Sequence, residues 1–183
     1  MSVNSSFPVF GNVNRNYRLF QNFTTQVQSF TPMLSNVNIF EKQLCAFIDQ
    51  RESFEKASHA FNRQSLVWLS LLYSIMASGS QFRDSPHTKS TSEARKYMKY
   101  SFRCLNYADY LFHPTIECLE TLLILGNVLQ NLMKPQAAWI LLGTTSRVAQ
   151  SLGLHQKRPI EEPTRDYSLW LVVLHDTCCL ICI

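Results

Sequence analysis

The stretch "QSLVWLSLLYSIMAS", residues Gln64–Ser78, decides the fold of this chain. Its apolar residues point in nearly every direction around a helix instead of forming one stripe. They are Leu66, Val67, Leu69, Leu71, Leu72, Ile75 and Met76. A helix of this composition has to be buried on all sides. We expect Gly79 to end it, because glycine favours the left-handed conformation that terminates helices.

Apolar residues also recur at helical spacing on both sides of this stretch. These patterns begin near Ile39, at Ser90 with Glu93 as a capping box, at Pro114, at Pro135 and near Thr164. Links between several of the helices are short, which favours antiparallel neighbours. No alternating pattern between turn signals indicates a strand. The sequence therefore predicts an all-α fold, an array of antiparallel helices or helical hairpins.

Residues 1–38 differ from the rest in composition. They are rich in Asn, Ser, Gln and Thr, and their only charged residues are Arg15 and Arg18. Such a composition predicts a polar linker or poorly ordered tail. We therefore divide the chain into this tail, 1–38, and a helical domain, 39–183.

The bulk composition excludes several classes of protein. A net charge of +4 is too small to indicate nucleic-acid binding by itself. We expect no membrane partner, because no stretch reaches the roughly 20 apolar residues of a membrane span. The start of the chain has neither a basic region nor an apolar run, so no signal peptide is expected. The six cysteines are scattered, and we expect reduced, mostly buried thiols.

The stretch "AAWILLGTTSRVAQSLGLHQKR", 137–158, has two interpretations, a ligand-binding loop or a helix with a defined end. A helical face is present, and small residues such as Gly143 would let a neighbouring helix approach closely. Gly153 lies where a left-handed residue ends a helix, and Leu154 is placed to fold back in a Schellman motif. His155 then lies near the negative end of the helix dipole. We favour the structural interpretation.

The residue types that can catalyse reactions or bind metals are present, but their spacing does not match the motifs of such sites. No histidine pair has the spacing of a zinc hydrolase. His175 and Asp176 are adjacent, and adjacent helical residues point about 100° apart. Cys179 and Cys182 have Cys-x2-Cys spacing without further ligands nearby. We expect neither an enzyme nor a bound cofactor, and keep a small enzyme built on His175, Asp176 and a cysteine as a third hypothesis.

Arg95, Lys99 and Arg103 are spaced by four residues, with Lys96 beside them. They form a basic stripe on the third helix of the pattern. This stripe is either a solvated face or a docking face for an acidic partner or nucleic acid. A helical-hairpin scaffold of the tetratricopeptide kind, which binds peptides in a groove, is the alternative to the function considered next.

The region of about residues 60–176 resembles the fungal-specific transcription factor domain, the middle homology region of zinc-cluster transcription factors. The resemblance rests on "EARKY" from Glu93, "PTIECLETLLIL" from Pro114, "AAWILLG" from Ala137 and "RVAQSLGLH" from Arg147. Its motif residues are Pro114, Glu117, Trp139, Gly143, Arg147, Gly153 and His155, followed by Trp170 and Asp176.

The resemblance implies a nuclear, all-helical regulatory domain without catalytic activity. Its partners would be other proteins or the rest of its own domain, and dimerisation of the parent protein is among the implied roles. DNA binding in the family comes from a separate N-terminal module in which six cysteines hold two zinc ions. The cysteines here do not match that module, so we expect neither zinc binding nor direct DNA contact. The last family helix is degraded around 166–169, and we expect a truncated domain that contains only its N-terminal part.

Overall fold

The computed structural model describes residues 13–49, 62–83 and 87–155, and within these ranges every regular element is helical. The α-helices are α1 (Val13–Phe23), α2 (Val37–Asp49), α3 (Arg63–Gln81), α4 (His87–Tyr107), α5 (Ile116–Asn131) and α6 (Pro135–Ser151). A π-helical turn, Thr24–Gln28, continues α1. The all-α prediction is confirmed. Both the predicted helix near Thr164 and the division of the chain at residue 38 stay predictions, and the former lies outside the described residues.

Helix α3 is the centre of the array. It contacts α1, α4 and α5, and every residue from Leu69 to Ser80 is buried. The predicted surrounded helix is therefore confirmed. The prediction that Gly79 ends it is wrong, because α3 continues to Gln81. Gly79 instead lies inside α3, where it faces the backbone of α1.

Buried serines of α3 donate their hydroxyl groups to carbonyl oxygens of the same helix, with the exception of Ser78, whose hydroxyl has no partner among the described residues. Ser70 donates to the Val67 carbonyl oxygen at 2.6 Å, and Ser74 donates to that of Leu71 at 2.7 Å. A buried hydroxyl without a partner would cost roughly 1–3 kcal/mol. These bonds along the helix allow small polar residues inside the core, where they leave room for neighbouring helices.

Helix α4 is tied to α3 by two further serines. Ser90 donates to the Ser80 carbonyl oxygen at 2.5 Å, and Ser101 donates to that of Ser70 at 2.7 Å. Early residues of one helix thus pair with late residues of the other, as expected for neighbours of opposite direction. The antiparallel order of the whole array stays a prediction. Ser90 is not the start of α4, which begins at His87, so the predicted capping box is wrong.

The predicted poorly ordered tail is wrong for residues 13–35. Leu19, Phe20 and Phe23 on α1 are at most 2% exposed, and Met33 and Leu34 are also buried. The composition is polar, yet the apolar residues recur at the spacing of a single helical face. The spacing of the apolar residues therefore decides the structure here. Packing of that face against the core stabilises the helix, although few of its residues are apolar.

Helix α1 approaches α3 closely at Gly79. A Cβ atom at this position would lie 2.0 Å from the carbonyl oxygen of Leu19. The side-chain amide of Asn22 donates to the carbonyl oxygen of Gly79 at 3.5 Å. The absence of a side chain at Gly79 is thus what allows the two backbones to meet.

A buried carboxylate connects α5 to the segment that leads into α2. Glu120 is 4% exposed, and it accepts hydrogen bonds from the backbone N–H of Ser35, at 2.7 Å, and from its hydroxyl. Helix α5 itself begins at Ile116 with Thr115 as its N-cap, so the prediction that Pro114 is its first residue is wrong. The Thr115 hydroxyl accepts from the backbone N–H of Cys118, which satisfies one of the free donors of the first turn.

Helix α6 begins and ends as the sequence predicts. Pro135 is in its first turn, and Gly153 has φ +76°. The Gly153 N–H donates to Gln150 at 3.0 Å and the Leu154 N–H donates to Ala149 at 3.1 Å, the two bonds of a Schellman motif. Among the described residues no atom lies within 4 Å of a Cβ placed at Gly143, so the prediction that Gly143 admits a close neighbour stays a prediction.

Two of the three described cysteines lie in the core. Cys104 and Cys118 are buried and Cys45 is exposed, and all three are free thiols. Burial raises the pKa of Cys104 to about 12 and also raises the pKa of Cys118. Both buried thiols are therefore protonated at neutral pH and unsuited to nucleophilic or redox chemistry.

We predict that Gly79→Ala destabilises the protein by roughly 1–3 kcal/mol or more, because the added methyl group forces α1 away from α3. The matched control is Gly143→Ala, which meets open space in a helix interior and should stabilise by about 0.5–1 kcal/mol. Urea unfolding followed by circular dichroism at 222 nm measures both free energies. Equal effects of the two substitutions would contradict the close approach.

We predict that Glu120→Ala lowers the free energy of unfolding by about 1–3 kcal/mol, because it removes the acceptor of two hydrogen bonds from Ser35. Glu120→Gln keeps the side-chain shape and one acceptor oxygen, so its loss should be smaller. The same urea titration compares the two variants. An alanine variant as stable as the parent protein would show that the contact contributes nothing.

We predict that iodoacetamide at pH 8 modifies Cys45 in the folded protein and leaves Cys104 and Cys118 unmodified. A pKa raised from 9.0 to about 12 lowers the thiolate fraction of Cys104 about a thousandfold. The unfolded chain ionises first, so this group's contribution to stability is lost as the pH rises from about 9 through 12. Peptide mass spectrometry after alkylation, with and without urea, checks the pattern, and rapid native labelling of Cys104 would refute it.

Candidate partner-binding surface

The solvent face of α4 carries a row of cations, which we call the basic face. It consists of Lys89, Arg95, Lys96, Lys99 and Arg103, all of them exposed. Lys89, Lys96, Lys99 and Arg103 follow spacings of seven, three and four residues, which keep them on one side of a helix. The predicted stripe of Arg95, Lys99 and Arg103 is thus exposed as one surface. The sequence interpretation missed Lys89, although its spacing places it on the same side.

The opposite side of α4 fixes the direction in which these cations point. Ala94, Ser101, Cys104 and Leu105 are fully buried there. Because residues three and four apart share one side of a helix, burying this set turns the basic residues outward. Lys89 and Arg103 are fourteen residues apart, so the basic face is about 21 Å long.

The single acidic residue of α4, Glu93, is paired with cations from other parts of the chain. Glu93 forms one ion pair with Arg15 of α1 at 2.7 Å and a second with Arg83 at 3.4 Å. The carboxylate is therefore engaged by two cations from outside α4, although its spacing from Lys89 and Lys96 places it on the same side of the helix. This arrangement concentrates positive potential along one side of the molecule.

An open depression lies between α2 and α3. Its volume is about 320 Å³, and its walls include Gln43, Phe47, Trp68 and Leu69. The indole N–H of Trp68 donates to the side-chain oxygen of Gln43 at 2.9 Å, and the rings of Trp68 and Phe47 lie 4.9 Å apart. No residue of the basic face lines it. The sequence interpretation missed this feature, because α2 and α3 are brought together only by folding.

The family-motif residues of α5 lie at its start. Pro114 and Glu117 are both partly buried, on either side of the N-cap Thr115. Glu117 lies in the first turn, where a negative charge is favoured by the helix dipole. Their positions agree with roles in forming the helix.

The motif residues of α6 lie on its outer side and at its end. Trp139 is 48% exposed, Gly143 has no described atom within 4 Å of an added Cβ, and Arg147 is exposed. Gly153 forms the Schellman turn and His155 follows it on the surface. Trp170 and Asp176 lie outside the described residues.

Across residues 13–49, 62–83 and 87–155, no three His, Cys, Asp or Glu side chains lie close enough together to hold a metal ion. In the same ranges, no helix has the length and apolar character needed to cross a membrane. The hypothesis of an enzyme built on His175 and Asp176 falls outside the described residues.

Comparison with known proteins gives one family. The family model described as the fungal specific transcription factor domain matches residues 18–174. No curated protein and no solved structure matches the chain significantly. The match begins within α1, so it includes the second half of the helix that the composition of residues 1–38 had obscured. The chain therefore belongs to the fungal specific transcription factor domain family, whose members form regulatory regions of fungal transcription factors.

Proposed function

We propose that this chain is the regulatory, non-DNA-contacting part of a fungal zinc-cluster transcription factor and acts in the nucleus. We further propose that its basic face binds an acidic surface of a partner protein. Family membership supports the regulatory role and a nuclear location. The observation that carries the partner-binding role is the row of five exposed cations on α4 beside a carboxylate already engaged by Arg15 and Arg83.

The chemistry of the basic face favours a protein over nucleic acid. Single-strand-binding surfaces combine cations with aromatic residues on which bases stack. Between Lys89 and Arg103, the aromatic residues of α4 are Tyr97, Tyr100 and Phe102, and all three are partly buried against the core. The face therefore offers charge without a stacking platform, which suits an acidic protein segment.

The proposal includes no cofactor or metal in this chain. A zinc cluster requires ionised cysteines close together. Cys104 and Cys118 are buried with raised pKa values, and Cys45 is exposed on α2. Zinc then belongs to the separate N-terminal module that the resemblance implies. Pairing of two parent proteins is part of the same proposal.

The alternative of a tetratricopeptide-like scaffold receives less support. That function needs the basic residues to line a peptide-binding groove. The depression between α2 and α3 is lined by residues such as Gln43, Phe47 and Trp68, and the basic face lies on α4. The cations therefore form a convex helix surface and not the wall of this groove.

We predict that neutralising the basic face weakens binding of an acidic probe. The variant is Arg95→Gln, Lys99→Gln and Arg103→Gln, and the probe is a fluorescent polyglutamate peptide measured by anisotropy at 0.1 M salt. Exposed ion pairs contribute about 0.2–1 kcal/mol each, so three losses should weaken binding roughly 3- to 100-fold. The parent protein should also lose affinity as the salt concentration rises.

The matched control removes three exposed cations from elsewhere, Arg18→Gln, Lys42→Gln and Lys134→Gln. It has the same net charge as the test variant and should bind the probe like the parent protein. Equal weakening in both variants would show that net charge, and not the basic face, is responsible. Tighter binding of duplex DNA than of polyglutamate at the same salt concentration would refute the non-DNA-contacting role.

A further inference from the structure

The row of cations on α4 continues into exposed apolar side chains at the end of that helix. Tyr107 follows Arg103 by four residues, so it lies on the same side of α4, about 6 Å further along the axis. Tyr107 is 52% exposed, and in the turn that follows, Leu111 is 63% exposed and Phe112 is 83% exposed. We call these three residues, Tyr107, Leu111 and Phe112, the apolar tip.

Main-chain hydrogen bonds hold the turn that carries the apolar tip. The N–H of Asp109 donates to the carbonyl oxygen of Asn106 at 3.2 Å. The N–H of Tyr110 donates to that of Leu105 at 3.4 Å, so α4 ends in a Schellman motif. Asp109 occupies its left-handed position with φ 51°, a conformation that aspartate adopts more readily than most residues. The N–H of Phe112 then donates to the carbonyl oxygen of Asp109 at 3.0 Å, which fixes the tip relative to α4.

The core holds this turn without help from the two most exposed apolar residues. Ala108 is 1% exposed, and Tyr110 packs against the hydrophobic core. Leu111 and Phe112 follow directly and are exposed. Large apolar side chains held outward on a fixed turn are typical of a binding surface. A partner that covers them loses little free energy to ordering, because the turn is already formed.

The neighbouring charges indicate the chemistry of the partner. Apolar and aromatic side chains at an interface supply most of the binding energy, and complementary charges set orientation and specificity. The apolar tip therefore fits large apolar side chains. The basic face, which begins one helical turn away at Arg103, fits carboxylates.

We propose that the basic face and the apolar tip together bind one acidic segment of a partner protein that carries large apolar side chains at one end. This inference rests on the proposed function of the basic face and adds the apolar end of the partner. The 21 Å of the basic face corresponds to roughly six residues of an extended segment. The exposed carboxylate of Asp109 repels further acidic residues at the tip, which determines which end of the segment lies there.

The same surface fits a membrane or a single-stranded nucleic acid less well. A helix that binds a membrane surface inserts an apolar side along its length, and in α4 that side is buried in the protein core. A single strand needs aromatic rings along its path on which successive bases stack. The exposed rings here, those of Tyr107 and Phe112, lie only at one end of the basic face.

The test compares two fluorescein-labelled peptides by anisotropy with the full chain at 0.1 M salt. The plain probe contains eight glutamates and four serines. The tailed probe contains the same glutamates with a Ser-Phe-Leu-Phe tail, and it is made with the tail at either end. The parent protein should bind one tailed probe at least roughly tenfold more tightly than the plain probe, because the apolar tip buries its tail.

The test variant is Leu111→Ser with Phe112→Ser, which should bind the tailed and plain probes equally, with the affinity of the parent protein for the plain probe. The matched control is Ile140→Ser with Phe30→Ser. It removes two apolar side chains of similar exposure, 70% and 82%, from other elements and should keep the tenfold preference. Circular dichroism at 222 nm verifies folding, and Phe112→Ser alone replaces the test variant if helicity is lost.

A preference for the tailed probe that is lost in the test variant and kept in the control supports the proposal. Absence of the preference, or its survival in the test variant, overturns the role of the apolar tip while binding of the plain probe leaves the basic face intact. Failure of the plain probe to bind overturns both proposals. Tip-dependent binding of phosphatidylserine vesicles or of oligo-dT, tighter than that of the tailed probe, overturns the choice of a protein partner.

Discussion

The rest of the structure depends on the burial of α3 on all sides. A helix without a solvent-facing side needs neighbours in every direction, and α1, α4 and α5 provide them. Close packing succeeds because Ser70 and Ser74 satisfy their hydroxyl groups along the helix and Gly79 lets the backbone of α1 approach. Each neighbour then has one side fixed against α3, which determines the side that remains for solvent or partners.

The charge of the basic face is one consequence of this arrangement. Docking α1 on α3 brings Arg15 within 2.7 Å of Glu93, and this carboxylate is the only acidic group on α4. The five cations of α4 are left without a carboxylate from their own helix. The N-terminal helix thus contributes to the surface potential of a helix that lies more than seventy residues later in the chain.

The polar groups of the core stabilise the fold, and two helix surfaces face outward. Buried thiols with raised pKa values, serines bonded to their own helix and a buried glutamate bonded to Ser35 all stabilise the fold. Outward, the described residues present the basic face of α4 and the exposed side chains of Trp139 and Ile140 on α6. Both features suit binding through helix faces, as expected of a regulatory region in this family.

The sequence by itself determined the helical class, the surrounded α3, the Schellman ending at Gly153 and the spacing of Arg95, Lys99 and Arg103. These features depend on periodicity and on residues a few positions apart, which the sequence displays directly. Only the tertiary structure decided the role of Gly79 and the ordered helical structure of residues 13–35. It also decided the partners of Ser90 and Glu93 and formed the depression beside Trp68. Each of these arises from contacts between distant segments, and the free energy of burial there outweighs local composition and local capping preference.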